Sequence, residues 1–68
     1  MDPELLEILR DALSTRLRRE ELQRALGRAV RRRSLGFDKY VETMSELRSH
    51  AEKRGLTLEE AAEELLSR

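Results

Sequence analysis

Catalysis in this chain would fall to very few side chains. The 68 residues include no cysteine and a single histidine, His50. Without cysteine there is no thiolate nucleophile, no disulfide and no thiolate metal ligand. A lone histidine cannot complete a zinc site. As a general base His50 would need a nucleophile or a paired acid in reach. The helical period puts it away from the apolar residues of its segment, where a solvated histidine without a role is expected. The pairs Glu59-Glu60 and Glu63-Glu64 have the spacing of a solvated helix face rather than of metal ligands. The glycines at 27, 36 and 55 are dispersed, so no glycine-rich loop cradles a phosphate. No catalytic, cofactor or metal residue is assigned. The chain is expected to be a non-enzyme with no small-molecule substrate.

Arginine is the one residue type whose clustering suggests binding. It supplies 12 of the 14 basic residues. Net charge is zero, but residues 1–15 carry −3, residues 16–33 carry +6 and residues 34–68 carry −3. On a helical wheel Arg24, Arg28 and Arg31 lie opposite Leu22, Leu26 and Ala29, with Arg32 beside them. Such a stripe can follow phosphates, each contact adding a salt-dependent increment of affinity. It can equally pair with the acidic segments on either side. This segment has no aromatic residue to stack on single-stranded bases, and dedicated nucleic-acid binders are usually clearly basic.

Four helical segments must position these groups. Sustained apolar–polar alternation is missing and β-branched residues are scarce, so strands are not expected. Asp2 and Pro3 form a helix start, with Glu4 and Glu7 near the positive end of the dipole. Leu5, Leu6, Leu9, Ala12 and Leu13 then share one face. Ser14 and Thr15 suggest a turn near Arg16, although one bent helix over residues 3–34 is also compatible. The second helix is expected from about Arg19, with Arg18 as cap, Leu17 and Leu22 as a hydrophobic staple, and Glu21 as the capping-box acid. Its apolar face is Leu22, Ala25, Leu26, Ala29 and Val30.

Gly36 is expected to end the second helix in a left-handed conformation, with Phe37 making the accompanying apolar contact. Asp38 or Ser34 can cap the next helix. The third stripe reads Phe37, Tyr40, Val41, Met44, Leu47 and Ala51, and Gly55 closes it after Lys53-Arg54. Thr57 and Glu60 form a capping box for a last helix bearing Leu58, Ala61, Ala62, Leu65 and Leu66. That helix is too short to persist alone and must dock.

The spacing Leu47-x3-Ala51-x3-Gly55-x-Thr57-x2-Glu60-Ala61-x3-Leu65 resembles the two-helix portion of ribbon-helix-helix repressors, many antitoxins among them. The resemblance covers about the last third of the chain and implies a DNA-reading strand before the first of those helices. Arg31-Arg32-Arg33-Ser34-Leu35-Gly36-Phe37 makes a poor strand, and the helix before Gly55 is longer than that pattern requires.

The fold expected is all-α: a small bundle or orthogonal array of three to four helices in one domain, assembled as a homodimer. A chain this small has a modest core, and only one Phe and one Tyr are available to enlarge it. The function expected is a non-enzymatic protein–protein interaction or oligomerisation module. Its packing or interface residues are Leu9, Leu13, Leu26, Val30, Phe37, Tyr40, Met44 and Leu47. The rival is a DNA- or RNA-binding regulator using Arg24, Arg28, Arg31 and Arg32. No apolar run reaches the ~20 residues of a membrane span. The acidic first residues lack a signal-peptide layout, so a cytoplasmic location is expected. Abundant charge and few amides resemble thermophile composition, and a GC-rich genome would give the same arginine bias.

Overall fold

A computed structural model describes residues 1–68 and contains four α-helices and no strand. These are α1 (Pro3–Thr15), α2 (Leu22–Arg32), α3 (Phe37–Arg54) and α4 (Leu58–Leu66). They pack into a body measuring 31 × 26 × 18 Å. Helix α1 touches each of the other three, α2 lies mainly against α1, and α4 lies mainly against α3.

The ends of α1 and α4 follow from side-chain chemistry. The Asp2 carboxylate accepts from the Glu4 amide at 2.8 Å, ahead of Pro3 at the first helical position. At α4 the Thr57 hydroxyl accepts from the Glu60 amide at 3.1 Å, and the Glu60 carboxylate accepts from the Thr57 amide at 2.9 Å. Both bonds of the capping box are therefore present.

The start of α2 differs from expectation. Residues 16–21 form a connection, which excludes a continuous helix over residues 3–34. Helix α2 begins at Leu22, with Glu21 rather than Arg18 at the cap and no side-chain cap bond. Leu17 is 64% exposed, so it staples nothing. The reason is a local turn: the Glu20 amide donates to the Leu17 carbonyl, the Glu20 carboxylate accepts from the Leu17 amide, and Arg19 is left-handed at φ 65°. Closing that turn delays the helix by three residues.

The α2–α3 corner also differs. Ser34, not Gly36, takes the left-handed conformation, at φ 57°. The Leu35 amide donates to the Val30 carbonyl and the Ser34 amide to the Arg31 carbonyl, both at 3.0 Å. These two bonds define a Schellman motif, and half-buried Leu35, not Phe37, packs beneath it. Gly36 is extended and caps α3 without a side-chain bond, so neither Asp38 nor Ser34 serves as that cap. Gly55 does end α3 in the left-handed region, at φ 65°. No strand precedes α3, so the likeness to ribbon-helix-helix proteins ends at the α3–α4 corner.

The core holds 15 buried apolar residues. Leu5, Ile8, Leu9 and Ala12 come from α1, and Leu22, Ala25, Leu26, Ala29 and Val30 from α2. Helix α3 adds Met44, Leu47 and Ala51; α4 adds Ala61, Ala62 and Leu65. The buried face of α1 is rotated from the expected one: Ile8 is fully buried, while Leu6 and Leu13 are only partly so. The α3 face is rotated too. Thr43 is buried, its hydroxyl donating to the Lys39 carbonyl at 2.7 Å, while Phe37 and Val41 face outward.

Ser34 carries the usual penalty of an L-residue in the left-handed region, which glycine avoids. Ser34→Gly is expected to stabilise the fold by about 0.5–1 kcal/mol after the added flexibility of the unfolded chain is subtracted. Thermal unfolding followed by circular dichroism checks this; an unchanged or lower melting temperature would show that the Ser34 conformation is not strained.

Candidate functional site

The expected arginine stripe is divided by the fold. Its apolar face holds α2 against α1, so arginines on one flank reach acidic groups of α1 and the connection. Arg32 donates to Asp11 at 2.7 Å and to the Thr15 hydroxyl at 2.9 Å. Arg33 approaches Asp11 at 3.4 Å and Glu7 at 3.8 Å. Arg28 pairs with Glu20 and donates to the Thr15 carbonyl at 3.0 Å. The hydrogen bond from Arg32 holds the Asp11 carboxyl below its ordinary 3.8. The bond from Arg28, then that from the Leu17 amide, does the same for Glu20.

Arg24 and Arg31 lie on the other flank, exposed, and neither takes part in an ion pair. Between α2 and α3 they border a groove of about 640 Å³, with Gln23 and Gly27 on the α2 side, Phe37 and Tyr40 on the α3 side, and the Arg28–Glu20 pair at its rim. The two rings stack with centroids 5.5 Å apart. Phe37 is 75% exposed and Val41 49%, and they are two of the three large apolar residues on the surface. Gly27 contributes space: a Cβ there would find its nearest neighbour, the Tyr40 ring, at 3.9 Å. That is ordinary contact, so packing within the chain does not require glycine at this position.

The groove continues past Tyr40 to Val41, Met44 and Arg48. Beyond Val41 it gives way to an acidic strip of Asp38, Glu42 and Glu46. One face of the molecule therefore runs from basic through apolar to acidic.

The expected packing residues occupy different environments. Leu9, Leu26, Val30, Met44 and Leu47 are buried, Leu13 and Tyr40 are partly buried, and Phe37 stands outside. Phe37 is the first residue of α3, so its ring lies over Tyr40 at the edge of the bundle instead of beneath it. Among the possible nucleic-acid residues, Arg28 and Arg32 are engaged within the chain while Arg24 and Arg31 are free. Val41, expected in the third apolar stripe, joins this face instead, and Arg48 joins it through the fold without a sequence mark of its own.

His50 is not the idle surface residue expected. Its side chain is 14% exposed, and Nε2 lies 3.0 Å from Glu64 Oε1. Arg54 donates to the same carboxylate at 2.8 Å, and this bond, followed by that from His50, lowers the Glu64 pKa. The cluster ties α3 to α4. No three His, Asp or Glu side chains gather where they could hold a metal ion. No helix is long and apolar enough to cross a membrane. Comparison with protein-family models, curated proteins and solved structures finds no match to this chain.

Asp11, Glu20 and Glu64 all have lowered pKa values in the folded chain. A depressed carboxyl stabilises the fold above its unfolded pKa and loses that contribution as pH falls through the folded value. Melting temperature is therefore expected to hold steady down to about pH 5 and to fall below it. Asp11→Asn should lower the plateau and make the acid fall shallower. Parallel acid profiles for the variant and the parent would show that Asp11 does not contribute in this way.

Proposed function

We propose that this chain is a non-enzymatic protein–protein interaction module, acting as an oligomerisation unit or adaptor through the α2–α3 face. One observation supports the reading: exposed Phe37 lies beside two arginines without partners, and exposed Val41 follows one turn further along α3. Exposed apolar surface rimmed by polar residues characterises binding sites. Aromatic and arginine side chains are also the groups most often found to dominate interface energetics. The remaining cationic side chains of α2 hold the fold together, so they are not available as a continuous phosphate track.

A second reading, a regulator that binds single-stranded nucleic acid, is favoured by one feature. The fold brings the stacked Phe37–Tyr40 pair to the groove that Arg24 and Arg31 border, and stacking beside cations is how single strands are commonly held. Two phosphate contacts would give a log–log salt slope of only about −1.4, which is weak for a dedicated binder.

A photo-crosslinking amino acid placed at Phe37 in cells separates these readings. The interaction reading expects a protein adduct at this position and none from the same group at Lys53, an exposed residue near the opposite end of α3. A nucleic-acid adduct would replace it with the second reading. No adduct at either position would remove both.

A further inference from the structure

We infer that the partner seated on the α2–α3 face is a second copy of this chain, related by a two-fold axis. The Arg24–Arg31 edge of each copy then meets the Asp38–Glu46 edge of the other. The inference rests on the interaction reading above and names the occupant of that face.

A two-fold interface uses the same patch on both subunits, so the patch must complement itself. This one carries both halves of a charge match, with Phe37, Tyr40 and Val41 between them and Arg48 at the far end of that strip. On the basic edge Arg24 and Arg31 have no carboxylate partner. On the acidic edge Asp38 and Glu46 have no cationic partner, and Glu42 has only its helical neighbour Lys39, at 3.4 Å. The edges also match in length. Arg24 and Arg31 are seven residues apart, about 10.5 Å along a helix, and Asp38 and Glu46 eight apart, about 12 Å. An acidic helix from another protein would satisfy the arginines but leave the α3 acids without partners.

Three further features agree. Net charge is zero, so two copies approach without overall repulsion. The chain has only two aromatic residues, and both lie on this face, where a dimer would add their area to a small core. Gly27 lines the same groove beside the Tyr40 ring, and its missing side chain keeps that part of the floor low.

Two charge-reversal variants test this by light scattering. One is Arg24→Glu with Arg31→Glu. The other is Glu42→Lys with Glu46→Lys, which spares Asp38 at the start of α3. The parent chain should show twice its 8.0 kDa mass, and each variant alone should show the single-chain mass. An equimolar mixture should return to the doubled mass, because each reversed edge then faces its opposite. This recovery also shows that both variants fold. If either loses its helical circular dichroism, Phe37→Ser replaces it, and the single-chain mass is expected.

A parent chain that stays at the single-chain mass from micromolar to millimolar concentration overturns the inference. So does a doubled mass that neither variant, nor Phe37→Ser, disturbs. In both cases the Phe37 crosslink still decides separately whether this face meets another protein.

Discussion

The seating of the basic helix α2 on the acidic helix α1 determines what the rest of the surface offers. Each helix must bury one apolar face, and α2 turns Leu22, Leu26 and Ala29 toward the core. That rotation leaves no freedom for its arginines. Arg28, Arg32 and Arg33 fall on the side where Asp11, Glu7 and Glu20 are found, and Arg24 and Arg31 fall on the side of α3. A run of similar residues is thereby divided, one flank ion-paired within the chain and the other exposed and unpaired.

The remaining elements depend on the same platform. Helix α4 has nine residues, too few to persist alone. It docks through Ala61, Ala62 and Leu65, and is tied at its sides by Arg16 to Glu59 and by His50 and Arg54 to Glu64. Alanines from every helix reach the core, and small contact residues permit short distances between helix axes. A core built this way packs closely without aromatic residues. It also leaves Phe37 and Tyr40 available at the edge, where their area can serve association.

Helix identity and the principal buried faces were legible because the 3.6-residue period is a local property. Leu26, Leu47 and Ala61 announce their burial by spacing alone. The Thr57–Glu60 box and Gly55 were legible for the same reason, since caps involve residues within one turn. Features decided between segments were not. Gly36 looks like a left-handed terminator, yet Ser34 takes that position because Leu35, not Phe37, reaches the core. Ile8 lies on the periodic face of α1, but only packing shows that the face turns toward Ile8 and away from Leu13. Which arginines stay unpaired depends on where Glu7, Asp11 and Glu20 fall once α1 and α2 pack. The meeting of Phe37, Arg24 and Arg31 likewise appears only after α3 folds back along α2.

The division of the α2 arginines into paired and unpaired positions is checked by replacing Arg24, Arg28, Arg31 and Arg32 with alanine one at a time and measuring thermal unfolding at low concentration, where any assembly is dissociated. Lower melting temperatures are expected for Arg28→Ala and Arg32→Ala, and melting temperatures within error of the parent for Arg24→Ala and Arg31→Ala. Equal losses at all four positions, or losses confined to Arg24 and Arg31, would contradict it.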